Sequence, residues 1–347
     1  MDANPIMGVI LHAVGGLAAA SFYIPYKRVK NWQWESYWIV GGLFSWLIAP
    51  LVGAAVLAPG SFEALRNTPI SALFWTYLFG LLWGIGGLTF GLSVRYLGLS
   101  LGYAIALGFC AAFGTIIPPI FMHTFGDLLN TSSGLATLLG VVTCLGGIAI
   151  CGWAGVRREG EIETEENPLV EFSLSKGIWV AVFAGVMSAC MAFAFASGKP
   201  ITDAALAAGV SPTFVNLPVL IVALLGGLTT NFVWCMYLNW RNESFRDYSN
   251  AGDASLMSNY LFSAVAGIIW YLQFFFYGMG TTKMGAYDFS SWTIHMAFII
   301  VFSNIWGIMF REWKGSRTQT ITIGAMGILV LILSTVVVGV GNYLAAQ

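Results

Sequence analysis

Asp288 and His295 stand seven residues apart in a stretch, Trp270 to Met296, that is otherwise composed for lipid. A carboxylate and an imidazole both bind and release protons. Taking either out of water is costly, so ionisable groups inside membrane helices generally face an aqueous cavity and serve a substrate or ion path. If the chain from Gly280 to Gly285 is a tight link between two helices, Asp288, Ser291, Trp292 and His295 fall at i, i+3, i+4 and i+7 of the second and share one face. On the first, Trp270, Gln273, Phe274 and Tyr277 repeat that spacing, setting an amide and a phenol between aromatic plates. The chemistry expected is proton binding by Asp288 or His295, the carboxylate being preferred because partial desolvation by Tyr287, Phe289 and Trp292 tightens its hold on a proton. Beside it, a polar molecule would be held by Gln273, Trp270, Tyr277, Ser291 and Trp292. Near the start of the chain His12 shares a helical face with Gly16, Ala19, Tyr23 and Tyr26. That face either borders the same pathway, which adds His12 and Tyr23 to the binding set, or makes interhelical hydrogen bonds.

The elements that must position these groups follow from composition. Hydrophobic residues are 58% of the chain, charged residues 9%, and the mean hydropathy is +0.78; soluble domains carry about one-quarter charged residues. This composition specifies an all-α polytopic membrane protein. Spanning a hydrocarbon core of about 30 Å takes about 20 helical residues, and ten runs qualify: 5–26, 37–59, 71–94, 100–123, 134–155, 177–198, 213–238, 257–280, 286–310 and 320–344. The N-terminus lacks a basic segment and a small-residue cleavage site, so the first run is expected to be retained.

Lys27, Arg28, Lys30, Arg95, Arg157, Arg158, Lys176, Arg241, Arg246, Arg311, Lys314 and Arg317 all fall in odd-numbered connections, against Arg66, Lys199 and Lys283 on the opposite side. The asymmetry puts the odd connections in the cytoplasm and both termini outside. The segment 157–176 holds Glu159, Glu161, Glu163, Glu165, Glu166 and Glu171; it reads as a solvated acidic linker between 1–156 and 177–347, five helices each. Trp83, Phe90, Gly91 and Gly98 recur at the spacing of Trp270, Tyr277, Gly278 and Gly285, which aligns the third run with the eighth. Five helices per half start the second half on the other side of the membrane, the 5+5 inverted repeat of secondary transporters, which places a substrate between the halves. Gly80, Gly84, Gly87 and Gly91 form a small-residue stripe suited to close packing. Pro25, Pro118, Pro119 and Pro218 permit kinks, and Asn216, Asn231 and Asn304 read as glue between helices. Lys199, followed by Pro200, is expected to end the sixth helix and snorkel outward.

Several function classes drop out. Cys110, Cys144, Cys151, Cys190 and Cys235 lack metal or CxxC spacing and read as small packing residues. Gly98-Leu99-Ser100-Leu101-Gly102 matches the nucleophile-elbow pattern but joins two membrane helices instead of a strand and a helix. None of His12, His123 or His295 opens an HExxH, and no phosphate-binding glycine motif occurs. The reading is therefore a transporter and not an enzyme, with no cofactor, no metal and no nucleic-acid partner, embedded in a lipid bilayer; oligomeric state is left open.

Phe22-Tyr23 with Pro25, Lys27 through Trp34-Glu35, Trp83-Gly84-Ile85-Gly86, Arg95-Tyr96-Leu97-Gly98, Lys199-Pro200, Trp270 to Tyr277, and Tyr287-Asp288 with Ser291-Trp292 and His295-Met296 resemble the L-rhamnose-proton symporters of the drug/metabolite transporter superfamily. The likeness runs nearly end to end. It implies a ten-helix bacterial inner-membrane importer that uses the proton gradient to take up a 6-deoxy sugar. The chain departs from that pattern at Gly87 and Phe90, where the family carries an asparagine and a tyrosine. The alternatives are a sodium-coupled sugar carrier and a small-molecule exporter of the same superfamily.

Overall fold

The computed structural model describes residues 4–121, 125–161, 173–284 and 291–345, and among these the ordered elements are all helical. Among the described residues eight helices are long and apolar enough to cross a membrane: Pro5–Tyr26, Trp34–Leu57, Ile70–Gly98, Ser132–Arg158, Leu174–Ala207, Pro212–Arg241, Leu256–Met284 and Thr318–Gly341. Two shorter apolar helices, Leu101–Gly114 and Ile294–Met309, lie within the fourth and ninth runs. Large apolar side chains such as Val56, Trp179, Ile308 and Leu329 point outward and stay exposed, the arrangement a hydrocarbon solvent rewards and water penalises.

Three local expectations are corrected. The connection expected at 95–99 shrinks to one non-helical residue, Gly98, at φ 80° and ψ 171°. A β-carbon is disfavoured at that φ, so the glycine of the supposed nucleophile elbow is the pivot between two helices. The sixth run does not stop at Lys199. It is broken at Ala189 and again at Gly198, and resumes as Lys199–Ala207. Pro200 is harmless in a first turn, where its missing N–H has no intrahelical partner to lose, and exposed Lys199 pairs with Asp203 one turn on. Glu161 is more than a solvated linker charge. Its carboxylate accepts hydrogen bonds from the backbone N–H of Arg317 (2.8 Å) and the hydroxyl of Thr320 (2.7 Å), capping the last helix from another part of the chain. Glu163, Glu165, Glu166 and Glu171 of the linker lie outside the described residues.

The chain packs as two compact units, each drawing on both halves of the sequence: 1–3, 18–85 and 190–283 in the first, 4–17, 86–189 and 284–347 in the second. In the first unit the third run meets the helix Leu217–Arg241 through small residues. A β-carbon at Gly80 would overlap the carbonyl of Ala223, and one at Gly84 would come within 2.9 Å of Gly227. Polar side chains then lock the seam: Thr230 donates to the carbonyl of Leu81 (2.8 Å), and Asn231 donates to the carbonyls of Gly84 (3.3 Å) and Gly227 (2.8 Å). The stripe reading thus holds for Gly80 and Gly84, whereas Gly87 has open space around it. Asn231 is interhelical glue, as is Asn216, which donates to the carbonyl of Gly278 (3.1 Å); Asn304 donates to Ile300 of its own helix (2.8 Å).

The helix Trp34–Leu43 starts without a side-chain cap of its own. Asp247 supplies one from 214 residues away, accepting from the backbone N–H of Gln33 (2.8 Å) and from the hydroxyl of Ser36 (2.8 Å). A carboxylate is favoured there because the first N–H groups of a helix are unsatisfied and carry partial positive charge. Beside it buried Glu35 accepts from Asn242 (2.9 Å) and Ser244 (2.7 Å), which offsets much of the cost of removing the carboxylate from water.

In the second unit the helices Ser132–Glu161 and Thr318–Ala345 pack along their length. A β-carbon at Gly140 would press on Val338, one at Gly147 on Leu331, one at Gly327 on Cys151, and one at Gly341 on Thr137. The steps of three, seven and four residues along the first helix and four, seven and three along the second are those of a heptad seam narrowed by small residues. All five cysteines are free and buried, and Cys151 in this seam shows them acting as small packing residues.

Candidate functional site

His12 and His295 are brought together in the second unit. The helix Pro5–Ser21 carries His12 and, one turn later, Gly16; the helix Ser291–Met309 carries His295 and, one turn later, Phe298 and Ile299. A β-carbon at Gly16 would lie 2.6 Å from Cβ of Phe298 and 3.1 Å from the backbone nitrogen of Ile299. Glycine therefore lets the helix backbones approach, and the two imidazoles one turn away meet edge to face with centroids 6.0 Å apart. Both are fully buried. Ser291 on the same helix is also buried, while Trp292 is partly exposed and lines a small cavity with Ala111, Cys144, Ser334 and Thr335. Asp288 lies outside the described residues.

The remaining candidates belong to the first unit. Along the helix Leu256–Met284, Trp270, Gln273 and Phe274 are buried and Tyr277 is partly exposed against Phe195 at 5.6 Å. Gln273 is 8% exposed, and its amide makes no hydrogen bond to the described residues, so its donor and acceptor are available to a ligand. Trp270 is the hub of an aromatic cluster, with ring centroids 5.3 Å from Trp83, 5.4 Å from Phe274, 5.7 Å from Trp46 and 6.5 Å from Phe22. Tyr23 stacks on Trp38 at 6.1 Å. Such pairs favour edge-to-face and offset geometries because the ring edge is positive and its face negative.

Sequence reasoning missed Trp38, Trp46 and Trp83 as members of this cluster, and missed that His12 partners His295. The available signal was aromatic spacing: Trp34 and Trp38 at i and i+4, then Trp46, which a π-helical turn over Phe44–Ile48 brings inward. For the histidines only Gly16 at the same helical face hinted at close approach.

The arrangement suits two tasks. Aromatic rings with a buried amide recognise the C–H faces and hydroxyls of a small polar molecule. A pair of neighbouring imidazoles can take up one proton on either of two sites, since a second proton would set two like charges about 6 Å apart. Among the described residues no group of His, Cys, Asp and Glu is spaced to hold a metal ion.

The family described as L-rhamnose-proton symport protein (RhaT) matches residues 1–345. The chain is similar to the L-rhamnose-proton symporter of Yersinia pestis (strain Pestoides F), 40% identical over 339 residues, covering 97% of this chain and 98% of that protein. The L-rhamnose-proton symporter of Yersinia pseudotuberculosis serotype O:3 (strain YPIII) matches to the same extent. That of Cronobacter sakazakii (strain ATCC BAA-894) is 40% identical over 338 residues, 96% of this chain and 97% of that protein.

Proposed function

The chain belongs to the L-rhamnose-proton symporter family, and we propose that it imports L-rhamnose or a closely related 6-deoxy sugar together with a proton across the bacterial inner membrane. One observation carries this reading: the family match extends over residues 1–345, so it includes both the aromatic cluster of the first unit and the histidine pair of the second. The family is one of transporters, not enzymes.

Ten spans, 1–156 and 177–347 as an inverted repeat joined by the acidic linker, and periplasmic termini complete the proposal. The division into units supports the repeat. The first unit takes the end of the first run, the second and the first part of the third, and the end of the sixth with the seventh and eighth; the second unit takes the remaining pieces of each half. A division that interrupts the first run of each half and takes in the run after it is what a five-helix repeat produces. The distribution of Lys and Arg supports the orientation.

In this scheme Gln273 bonds sugar hydroxyls, with Trp270, Tyr277, Ser291, Trp292 and Tyr23 as further contacts, and Asp288 and His295 are the proton carriers. The neighbouring imidazole of His12 favours His295, because the two rings give the proton alternative places within one buried cluster. A proton crossing with a neutral sugar releases about 2.3 kcal/mol per 100 mV, which sustains ~50-fold accumulation per 100 mV.

Right-side-out membrane vesicles test the reading. They are expected to accumulate L-rhamnose under an imposed proton gradient and to lose it on adding a protonophore. Accumulation driven by a sodium gradient after the proton gradient has collapsed would identify the sodium-coupled alternative, and outward transport alone would identify an exporter. For topology, an impermeant thiol reagent is expected to label Asn4→Cys and Asn342→Cys in intact cells and to spare Glu163→Cys; the opposite pattern reverses the orientation.

A further inference from the structure

Trp46 sits where the helix Trp34–Leu43 gives way to a π-helical turn, Phe44–Ile48, before α-helix resumes at Ala49. A π turn carries one extra residue per hydrogen-bonded ring, and such turns recur at functional sites because they rotate a side chain out of the regular helical register. Here the turn buries Ser45 and Trp46 together on a small cavity whose walls include Phe22, Tyr26, Trp38 and Trp270. Glycines make the space. A β-carbon at Gly42 would strike the Trp46 ring, and one at Gly41 the hydroxyl of Tyr26.

Two of the three tryptophans of this chamber are treated differently. The indole N–H of Trp38 is used up by Asn231, whose Oδ1 accepts it at 2.8 Å. That of Trp46 is buried, the residue being 4% exposed, and has no hydrogen-bond partner among the described residues; the hydroxyl of Tyr23, stacked on Trp38, is likewise buried and without one among them. A buried polar group left unpaired costs about 1–3 kcal/mol and calls for an explanation; where the residue also lines a cavity, as Trp46 does, a ligand in that cavity supplies one.

Resting on the reading of the chain as a deoxy-sugar symporter, we infer that the chamber behind the π turn is part of its sugar site. Trp46 Nε1–H bonds an oxygen of the sugar there and the surrounding rings cover its C–H face, while the Tyr23 hydroxyl, on the residue stacked against the chamber's Trp38, bonds a neighbouring oxygen. The cavity now has room for about one water molecule, so a sugar enters only as the π turn shifts and moves Trp46. The chamber therefore acts as an induced-fit element.

Titration calorimetry of the purified full-length protein with L-rhamnose, beside its thermal melting, tests this. Trp46→Phe keeps an aromatic ring and removes the N–H. Sugar affinity is expected to fall about tenfold, while the melting temperature stays the same or rises, because the substitution deletes an unpaired buried donor. Tyr23→Phe is expected to behave alike. Trp32→Phe is the control: it deletes another buried, unpartnered indole N–H, in the separate cluster of Trp32 with Val40 and Ala251, and should bind as the wild type does. Wild-type affinity in Trp46→Phe and Tyr23→Phe, or an affinity loss matched by Trp32→Phe or accompanied by a lower melting temperature, overturns the inference. If Trp46→Phe does not fold, Tyr23→Phe decides alone. Absence of L-rhamnose binding by the wild type overturns the sugar assignment itself, and this inference with it.

Discussion

The two compact units place different chemistry in their interiors. Around Trp270 the first unit buries aromatic rings and amides, and its buried carboxylates are engaged by neutral donors, Glu35 by Asn242 and Ser244 and Asp247 as a helix cap. The second unit buries both imidazoles, His12 and His295, face to edge. Rings and amides recognise shape and hydroxyls without changing charge; imidazoles change charge by binding a proton. Sugar recognition by Gln273 and Trp270 and proton carriage by His295 are therefore expected to separate by mutation.

The largest effect that could break this comparison is in the second unit. His295→Gln is expected to abolish accumulation, a loss of ~50-fold per 100 mV, while sugar affinity and sugar exchange persist. Asp288→Asn is the paired variant in vesicle uptake. Accumulation lost in Asp288→Asn and normal in His295→Gln transfers the proton to Asp288. Normal accumulation in both leaves the second unit without a coupling role.

Gln273→Ala probes the first unit. Its buried amide is free to bond a hydroxyl, and its removal should weaken binding by ~1–3 kcal/mol, read by calorimetry, with accumulation of whatever sugar is bound still driven by protons. Unchanged affinity would make Gln273 a packing residue.

Smaller still is the effect of moving the histidines apart. Gly16→Ala places a β-carbon on Phe298 and on the backbone of Ile299, an overpacking worth ~1–3 kcal/mol that relaxation of the helices reduces. Accumulation ratio should fall with affinity intact; an affinity loss with normal coupling would reverse the assignment of tasks to the two units.

The smallest effect concerns pH. The hydroxyl of Thr320, and after it the backbone N–H of Arg317, hold the Glu161 carboxyl below its usual range. A lowered folded-state value means that its contribution to stability is complete at neutral pH and is lost as pH falls through the acid range below the ordinary carboxylate value. Glu161→Gln should lower the melting temperature slightly at neutral pH and leave it unchanged at acid pH; an equal drop at both would remove the charge from the explanation.

Much of the fold was legible in order along the chain, because a segment in hydrocarbon must satisfy its backbone hydrogen bonds internally and so declares itself by length and apolarity. The composition, the apolar runs, the packing role of Cys151 and the shared helical face of Trp270, Gln273 and Phe274 could all be read this way. The pairing of His12 with His295 could not. It depends on how closely two helix backbones from opposite ends of the chain approach, and Gly16 only permits that approach. The capping of Gln33 by Asp247 and of Arg317 by Glu161 was hidden for the same reason: a side-chain cap from a remote segment leaves no local pattern. The inward turn of Trp46 depends on a shift of hydrogen-bond register within one helix, which helical periodicity counted at 3.6 residues per turn does not register. Local backbone satisfaction wrote the helices into the sequence, whereas contacts between side chains remote in sequence decided which of their faces met.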